Sequence, residues 1–292
     1  PQRKPKTSFR IKGIVMTATL MIQGTASGAG KTTLVTALCR IFSNKGYSVA
    51  PFKSQNMSNY SYKNGFEISQ AQAIQAVAAR TEISPHMNPI LLKPLGNYMS
   101  NVVIQGKPFK KMSAKNYYEK FALQRGIKTA LDSFEYLKSR HDLIILEGAG
   151  SPAEINLQKY DIANMMMAQK TKSPVILVSD IEKGGFFASI VGTMSLLTKT
   201  QQNLVKGYIV NKFRGDKSLL QPGFRKLKQI TSKSVFGVIP TIDLELPNED
   251  SLDNKIHLFR KQNQKLVDLQ INKLASIVQK NINISSIERL IK

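Results

Sequence analysis

The sequence predicts an α/β fold, a parallel sheet covered by helices on both faces. Three observations carry that expectation. Apolar runs without polar alternation recur along the chain, as in "DLIILEGAG" (142–150) and "SPVILVSD" (173–180). Segments with helical periodicity separate them. A glycine-rich turn sits between the first of these strands and the first helix.

The elements follow in order. "ATLMIQ" (18–23) reads as a short buried strand entering the glycine loop. "KTTLVTALCRIFSNKG" (31–46) places Leu34, Leu38, Ile41 and Phe42 on one helical face and ends on Gly46. "SVAPFK" (48–53) is the next strand, and "ISQAQAIQAVAAR" (68–80) a helix ending before Pro85. A long helical stretch is expected near 113–139. The strands 142–150 and 173–180 follow, then a helix near 185–199. Strands "VKGYIVNK" (205–212) and "SVFGVIP" (234–240) flank a further helix. Near the end, Leu266, Leu269, Ile271, Leu274, Ile277 and Val278 read as the apolar face of a closing helix. Three segments are expected: a basic, disordered extension over 1–15, the main domain over 16–253, and a helical tail over 254–292 that closes it.

Hydrophobic residues form 42% of 292, enough for a globular core without staples. The one cysteine, Cys39, excludes an intrachain disulfide framework and reads as a core residue of an intracellular, cytoplasmic protein. No apolar run reaches membrane-spanning length. The net charge is +23, yet outside the stretch of Arg3, Lys4, Lys6, Arg10 and Lys12 it is spread thinly. No nucleic-acid motif accompanies it, so neither nucleic acid nor membrane is expected as a partner. Anionic small molecules are. His86, His141 and His257 show no metal spacing, and Met165–Met167 read as core packing.

The chemistry centres on "GTASGAGKTT" (24–33). Its end fits a phosphate-binding loop, but the general pattern G-x-x-x-x-G-K-[ST] requires glycine at position 25, which is Thr25. Strand, loop and helix are nonetheless in register for a P-loop NTPase-like fold. Gly28, Ala29, Gly30, Lys31, Thr32 and Thr33 would hold the phosphates of a nucleotide through loop amides and the helix N-terminus. Lys31 would reach the β/γ-phosphates, and the Thr32 hydroxyl would ligate Mg²⁺. Glu147, at the carboxyl edge of "LIIL", is the second candidate metal ligand. Asp180 ends "VILVS" in a similar place. Lys53, after its strand, could counter charge on a transferred phosphoryl group. Asn211 could offer donor and acceptor to an adenine edge. These parts suit phosphoryl transfer to an oxygen acceptor.

The run "MIQGTASGAGKTTLVTALCRIFSNKGYSVAPFKSQNMS" resembles the start of the cobyric acid synthase family. So do "MNPILLKP" (87–94), "EGAGSPAEINL" (147–157), "DIANM" (161–165), "PVILVSDIEKGGFFASIVGT" (174–193) and "VNKFRGD" (210–216). The wider group includes dethiobiotin synthetase and cobyrinic acid a,c-diamide synthase, and shares the GT-x-[ST]-x-x-GK[ST] loop. The resemblance implies a dethiobiotin synthetase-like fold and an ATP-dependent amidoligase. It activates the b, d, e and g carboxylates of adenosylcobyrinic acid a,c-diamide as acyl phosphates, which ammonia displaces. It also implies that Lys31, Thr32 and Glu147 carry ATP and Mg²⁺, with Lys53 and Asn211 as ATP contacts. Ser151, Glu154, Asn156, Asp161 and Asp180 would lie on the corrinoid side.

Two departures stand out. The family's Asp-Gly-Gly-Glu-Ile-Gly is here "NGFEIS" (64–69), which keeps Glu67 but replaces the acid by Asn64. The family's long form continues into a glutaminase domain with a Cys nucleophile, and Cys39 lies in the P-loop helix instead. A separate glutaminase chain, free ammonia or a truncated product is therefore expected, and a homodimer is compatible. The alternatives are a sister ligase (a,c-diamide synthase or dethiobiotin-type), an inactive remnant, or a ParA- or MinD-type ATPase. "SPAEINL" and "NKFRGD" argue against the sister ligases, and the intact Lys31, Thr32 and Glu147 against the remnant. Ala26 argues against the ATPases, since it stands where they keep a lysine.

Overall fold

Six parallel strands form the central sheet, as the unalternating apolar runs predict. The computed structural model describes residues 17–243 and 263–292, and the backbone of two short strands before them. Those strands, β1 (Arg10–Ile11) and β2 (Ile14–Val15), pair antiparallel. The rest of the basic extension and the 246–253 boundary lie outside the described residues, as does His257.

β3 (Ala18–Gly24) runs into the glycine loop and α1 (Lys31–Asn44), and β4 (Val49–Phe52) follows. An insertion then holds β5 (Gln55–Met57), the hairpin of β6 (Ser61–Lys63) and β7 (Glu67–Ser69), and α2 (Gln70–Ala79). It continues through β8 (Ile90–Gly96), β9 (Met99–Ile104) and β10 (Lys107–Ser113). A helical stretch comprises α3 (Ala114–Asn116), a π-helical segment (Tyr117–Gly126) and α4 (Ile127–Lys138). Next come β11 (Leu143–Glu147), α5 (Met165–Thr171), β12 (Val175–Asp180), α6 (Phe186–Leu196) and α7 (Lys199–Leu204). The chain continues through β13 (Val205–Phe213), α8 (Gln221–Thr231), β14 (Ser234–Pro240), α9 (Gln264–Asn281) and α10 (Ile284–Glu288).

The sheet order is β14-β13-β12-β3-β11-β4. Every pairing in it is parallel, so all six carboxyl ends share one edge. The glycine loop leaves that edge from β3, where the strand order reverses direction, the place such sheets bind ligands. Leu20 and Ile22 of β3 pack with α1, α2 and α9 in one core, while Met21 joins α4 to α6 and α8 in the other. Both faces are thus covered, and each fully buried Leu or Ile contributes about 1.5–3 kcal/mol.

The insertion is where expectation and structure part. β10-β9-β8-β5 form a second sheet that the strand assignments above do not contain. Its outer strand is solvated from Lys107 to Lys111, so it lacks the continuous apolar run of a buried strand. The helix expected near 185–199 is α6, which ends at Leu196; beyond it Thr198 and Gln201 form a capping box that starts a further short helix, α7.

The closing helix exists, but its inner face differs from the one expected. Val267, Ile271, Leu274, Ala275 and Val278 are buried, whereas Leu266 and Leu269 are exposed. The buried Arg40 of α1 sets the rotation. Its guanidinium donates to the Ala78 and Val77 carbonyls and to Asn272 Oδ1, and pairs with Asp268 at 2.6 Å. Asp268 and Asn272 must therefore flank α1, and Leu266 and Leu269 turn outward.

Cys39 is fully buried in α1. Burial pushes its thiol pKa up, and the charge of Glu147 adds to the rise. The native protein is expected to leave this thiol unmodified by a soluble maleimide at pH 8, with full labelling in denaturant. Rapid native labelling would contradict the packing of α1.

Candidate functional site

The glycine loop closes on itself through Lys31. Its Nζ donates to the Ala26 carbonyl at 3.1 Å and to the Gly150 carbonyl at 2.8 Å. A Cβ on Gly24 would stand 3.0 Å from that Nζ and 3.0 Å from the Ala26 oxygen. Glycine at 24 therefore leaves room for the lysine, where a Cβ would crowd the amine and the Ala26 carbonyl. At 25 a side chain is useful, because Thr25 ties the loop to β12. Its Oγ1 donates to Ser179 Oγ at 3.1 Å and its N–H to the Val178 carbonyl at 2.9 Å. The displaced glycine of the motif thus suits the close approach of Lys31 to this loop.

Gly30 precedes α1 in the left-handed region, φ 99°, and Gly28 lies at φ 71°. The first N–H groups of α1, from Lys31 through Thr33, begin at this point and form an anion-binding end. Asn211 lies against the loop. Its Nδ2 donates to the Ala29 carbonyl at 3.0 Å, and a Cβ on Gly30 would fall 1.9 Å from that nitrogen. Asn211 is therefore a brace under the loop, with one amide hydrogen committed to it. Gly30→Ala is expected to cost on the order of 2 kcal/mol through the positive φ alone and to abolish nucleotide binding. Thermal melting and fluorescent-nucleotide titration check both effects, and wild-type binding by the variant would refute this account of the loop.

Glu147, buried at the end of β11, gathers the polar groups. Its Oε1 accepts from Thr32 Oγ1 at 2.8 Å and from Lys53 Nζ at 2.9 Å. Its Oε2 accepts from Gln75 Nε2 at 2.5 Å. The Lys53–Glu147 pair has side-chain exposures of 3% and 0%, so it is held in low dielectric. A hydroxyl and a carboxylate oxygen side by side suit a hard divalent cation. Among the described residues, no cluster of three or more His, Cys, Asp or Glu could hold a metal alone. A cation here would need further oxygens, such as phosphates, to complete its shell. Gly148 follows directly, and a Cβ there would stand 2.1 Å from Asn164 Oδ1, so any larger residue would displace the Asn164 side chain.

Of the residues expected at the site, Thr32 and Lys53 thus meet on Glu147, while the Lys31 amine lies between the Ala26 and Gly150 carbonyls. Gln75 belongs to the same cluster, and the sequence reading does not single it out. Nor does it single out Gln72 and Asn56 behind it. The available signal is two glutamines three residues apart on the alanine-rich face of "QAQAIQAVAA".

The remaining candidates lie elsewhere. Asp180 pairs with Lys212 Nζ at 2.8 Å and accepts the Glu182 N–H at 2.8 Å, so its partners are not those of Glu147. Asp161 accepts the N–H groups of Ala163 and Asn164 and the Asn164 amide. Burial raises its pKa against those hydrogen bonds, and Glu154 adds to the rise. Asn164 in turn donates to the Ala149 carbonyl at 2.6 Å, so Asp161 braces the turn after β11. Ser151 is buried and accepts the Ala153 N–H at 3.2 Å. Glu154 and Asn156 are exposed on the same loop.

Glu67 is held by Ser61, Lys93 and, at longer range, Lys63. Burial raises its pKa, but the hydrogen bonds from Lys93 and Ser61 and the lysine charges outweigh that, and the net shift is downward. A cleft between α8 and β14, lined by Phe224, Arg225, Lys228 and Phe236, holds none of the Glu147 cluster. No helix among the described residues is long and apolar enough to cross a membrane.

Residues 20–252 match the protein family described as "CobQ/CobB/MinD/ParA nucleotide binding domain". The chain is 54% identical over 262 residues to a probable cobyric acid synthase of Thermococcus onnurineus (strain NA1), covering 88% of this chain and 52% of that protein. It is 48% identical over 265 residues to a cobyric acid synthase of Thermoanaerobacter sp. (strain X514), covering 90% and 51%. It therefore spans about half the length of these curated relatives. Among solved structures it is similar to Cyanthece apo McdA, with TM-score 0.51 at 11% identity over 94% of this chain and 100% of that one, a likeness of fold alone. With the loop built as described and most of the chain matched, this chain belongs to the CobQ/CobB/MinD/ParA nucleotide-binding domain family.

Proposed function

We propose that this chain carries the ATP-dependent synthetase chemistry of a cobyric acid synthase-type amidoligase in cobalamin biosynthesis. The observation that supports it most is the convergence of the Thr32 hydroxyl and the Lys53 ammonium on one oxygen of Glu147, beside Lys31 at the loop. That is a nucleotide and metal edge with a second cation next to it.

In this reading Lys31 and the α1 amides hold the β- and γ-phosphates, and Thr32 and Glu147 hold Mg²⁺. When bound, the metal supplies charge neutralisation between the phosphates. Thr32 and Lys53 share Glu147 Oε1, so a cation at that oxygen competes with the lysine. Lys53 is then positioned to turn its charge toward the transferred phosphoryl group. A side-chain carboxylate oxygen of the substrate attacks the γ-phosphorus, and the bond to the ADP oxygen breaks. Ammonia then attacks the acyl carbon of the acyl phosphate, phosphate leaves with its C–O bond pair, and the nitrogen loses a proton to give the amide. No protein nucleophile is required.

The substrate is a corrinoid, adenosylcobyrinic acid a,c-diamide, amidated at the b, d, e and g carboxylates. Ser151, Glu154, Asn156 and Asp161 lie on the loop that follows Glu147 and would face it, with Asp161 acting through the loop it braces. Ammonia arrives free or from a glutaminase. The reaction belongs in the cytoplasm, requires neither nucleic acid nor membrane, and is compatible with a homodimer.

The test is an incubation with ATP, Mg²⁺, ammonium and the a,c-diamide, read by mass spectrometry. Four new amides and stoichiometric ADP are expected. Two new amides on a corrinoid lacking the a,c-amides would assign the sister activity instead. ATP turnover indifferent to corrinoid would reject the ligase reading.

A further inference from the structure

Glu147 offers one oxygen to Thr32 and Lys53 and gives the other to α2. The groups behind that second oxygen form a chain of buried amides with a fixed polarity. Its far end is a backbone N–H, which can only donate. The Met57 N–H donates to Asn56 Oδ1 at 2.9 Å. Asn56 must then turn its Nδ2 inward, where it donates to Ser69 Oγ at 2.8 Å and to Gln72 Oε1 at 3.1 Å. With its oxygen taken, Gln72 presents Nε2 to Gln75 Oε1 at 3.4 Å. Gln75 is left to donate its own Nε2 to Glu147 Oε2. The near end is a carboxylate, which can only accept. Both ends therefore demand the same direction, and flipping any one amide would set donor against donor or acceptor against acceptor.

Asn56, Gln72 and Gln75 are all buried, two of them completely. Burying three amides costs stability unless each is satisfied. Gln72 and Gln75 occupy buried positions of α2, and Asn56 one of β5, where apolar side chains would need no partners. We propose that Gln75 is a positioning residue for the divalent-cation site, with Gln72 and Asn56 fixing its polarity. The inference rests on the reading of Thr32 and Glu147 as the cation edge. Gln75 holds Oε2, which fixes the plane of the carboxylate and keeps Oε1 turned toward Thr32. Without that hold only Thr32 and Lys53, both on Oε1, orient the carboxylate, and its plane is no longer fixed once a cation displaces the lysine.

The experiment uses Mn²⁺ as the probe. Mn²⁺ binding is measured by electron paramagnetic resonance at saturating ATP, and ATP binding without divalent metal by equilibrium dialysis. The proteins are wild type, Gln75→Leu and Gln72→Leu, each with its melting temperature. Gln75→Leu is expected to weaken Mn²⁺ binding about 10- to 100-fold. Gln72→Leu, one bond further away, should weaken it less but in the same direction. Metal-free ATP affinity should stay within about twofold in both. A merely structural role would lower the melting temperature and leave Mn²⁺ affinity alone, and that result overturns the proposal. Equal losses of metal-free and metal-bound ATP binding overturn it too. If Gln75→Leu does not fold, unchanged Mn²⁺ affinity in Gln72→Leu decides against it. Wild type that binds no Mn²⁺ with ATP would instead bring down the cation-edge reading beneath it, a result distinct from wild-type binding shared by both variants.

Discussion

Lys31→Ala is expected to abolish the proposed ammonia-dependent amidation, with a loss of at least about a hundredfold in ATP-dependent turnover. The amine sits between the carbonyls of Ala26 and Gly150, so it joins the glycine loop to the turn after β11. Phosphate oxygens brought to the loop would meet a charge already held in place, with little reorganisation. Alanine removes that charge and the tie between the two loops. Lys31→Arg is the informative companion. The lysine amine already fills the space over Gly24, where even a Cβ would stand only 3.0 Å from Nζ, so the broader guanidinium should not restore activity. The measurement is ADP release coupled to corrinoid amidation. Substantial turnover by Lys31→Ala would remove the loop from the chemistry.

Glu147→Gln is expected to have the largest effect on stability. The substitution keeps size and an acceptor oxygen but removes the charge facing Lys53 in a buried pair. Breaking such a pair costs about 3 kcal/mol or more, because the remaining charge stays in low dielectric. The urea midpoint should fall accordingly, and metal-dependent nucleotide binding should be lost. Adding Lys53→Met should return part of the stability while leaving activity absent. The double-mutant cycle would then show coupling beyond additivity. A Glu147→Gln protein as stable as wild type would show that the pair contributes little.

Much of the fold is legible in the residues alone. The strands β3, β11 and β12 lie inside the molecule, and a strand covered on both faces must be apolar along its core. The P-loop is legible for a similar reason, since strand, glycines, lysine and helix are contiguous. Glu147 and Lys53 could be placed because each follows an apolar run at the strand's carboxyl end. The second sheet is not legible, because its outer strand is solvated and its pairing joins residues distant in sequence, such as Gln55 with Ile90. The inner face of α9 is not either, because Arg40, more than two hundred residues earlier, decides its rotation.

By itself the sequence determined the parallel sheet and the strand, glycine loop and helix at its edge, and it put Lys53 and Glu147 at strand ends on the edge where Lys31 and Thr32 begin α1. Each of these follows from local chemistry or from strand ends that must share one edge. Only the tertiary structure decided why glycine stands at 24 and threonine at 25. The first lies under Lys31 and the second reaches Ser179 on a neighbouring strand. It likewise decided that Asn211 braces the loop and that Gln75 holds Glu147, since hydrogen bonds across 182 and 72 residues leave no periodicity to read.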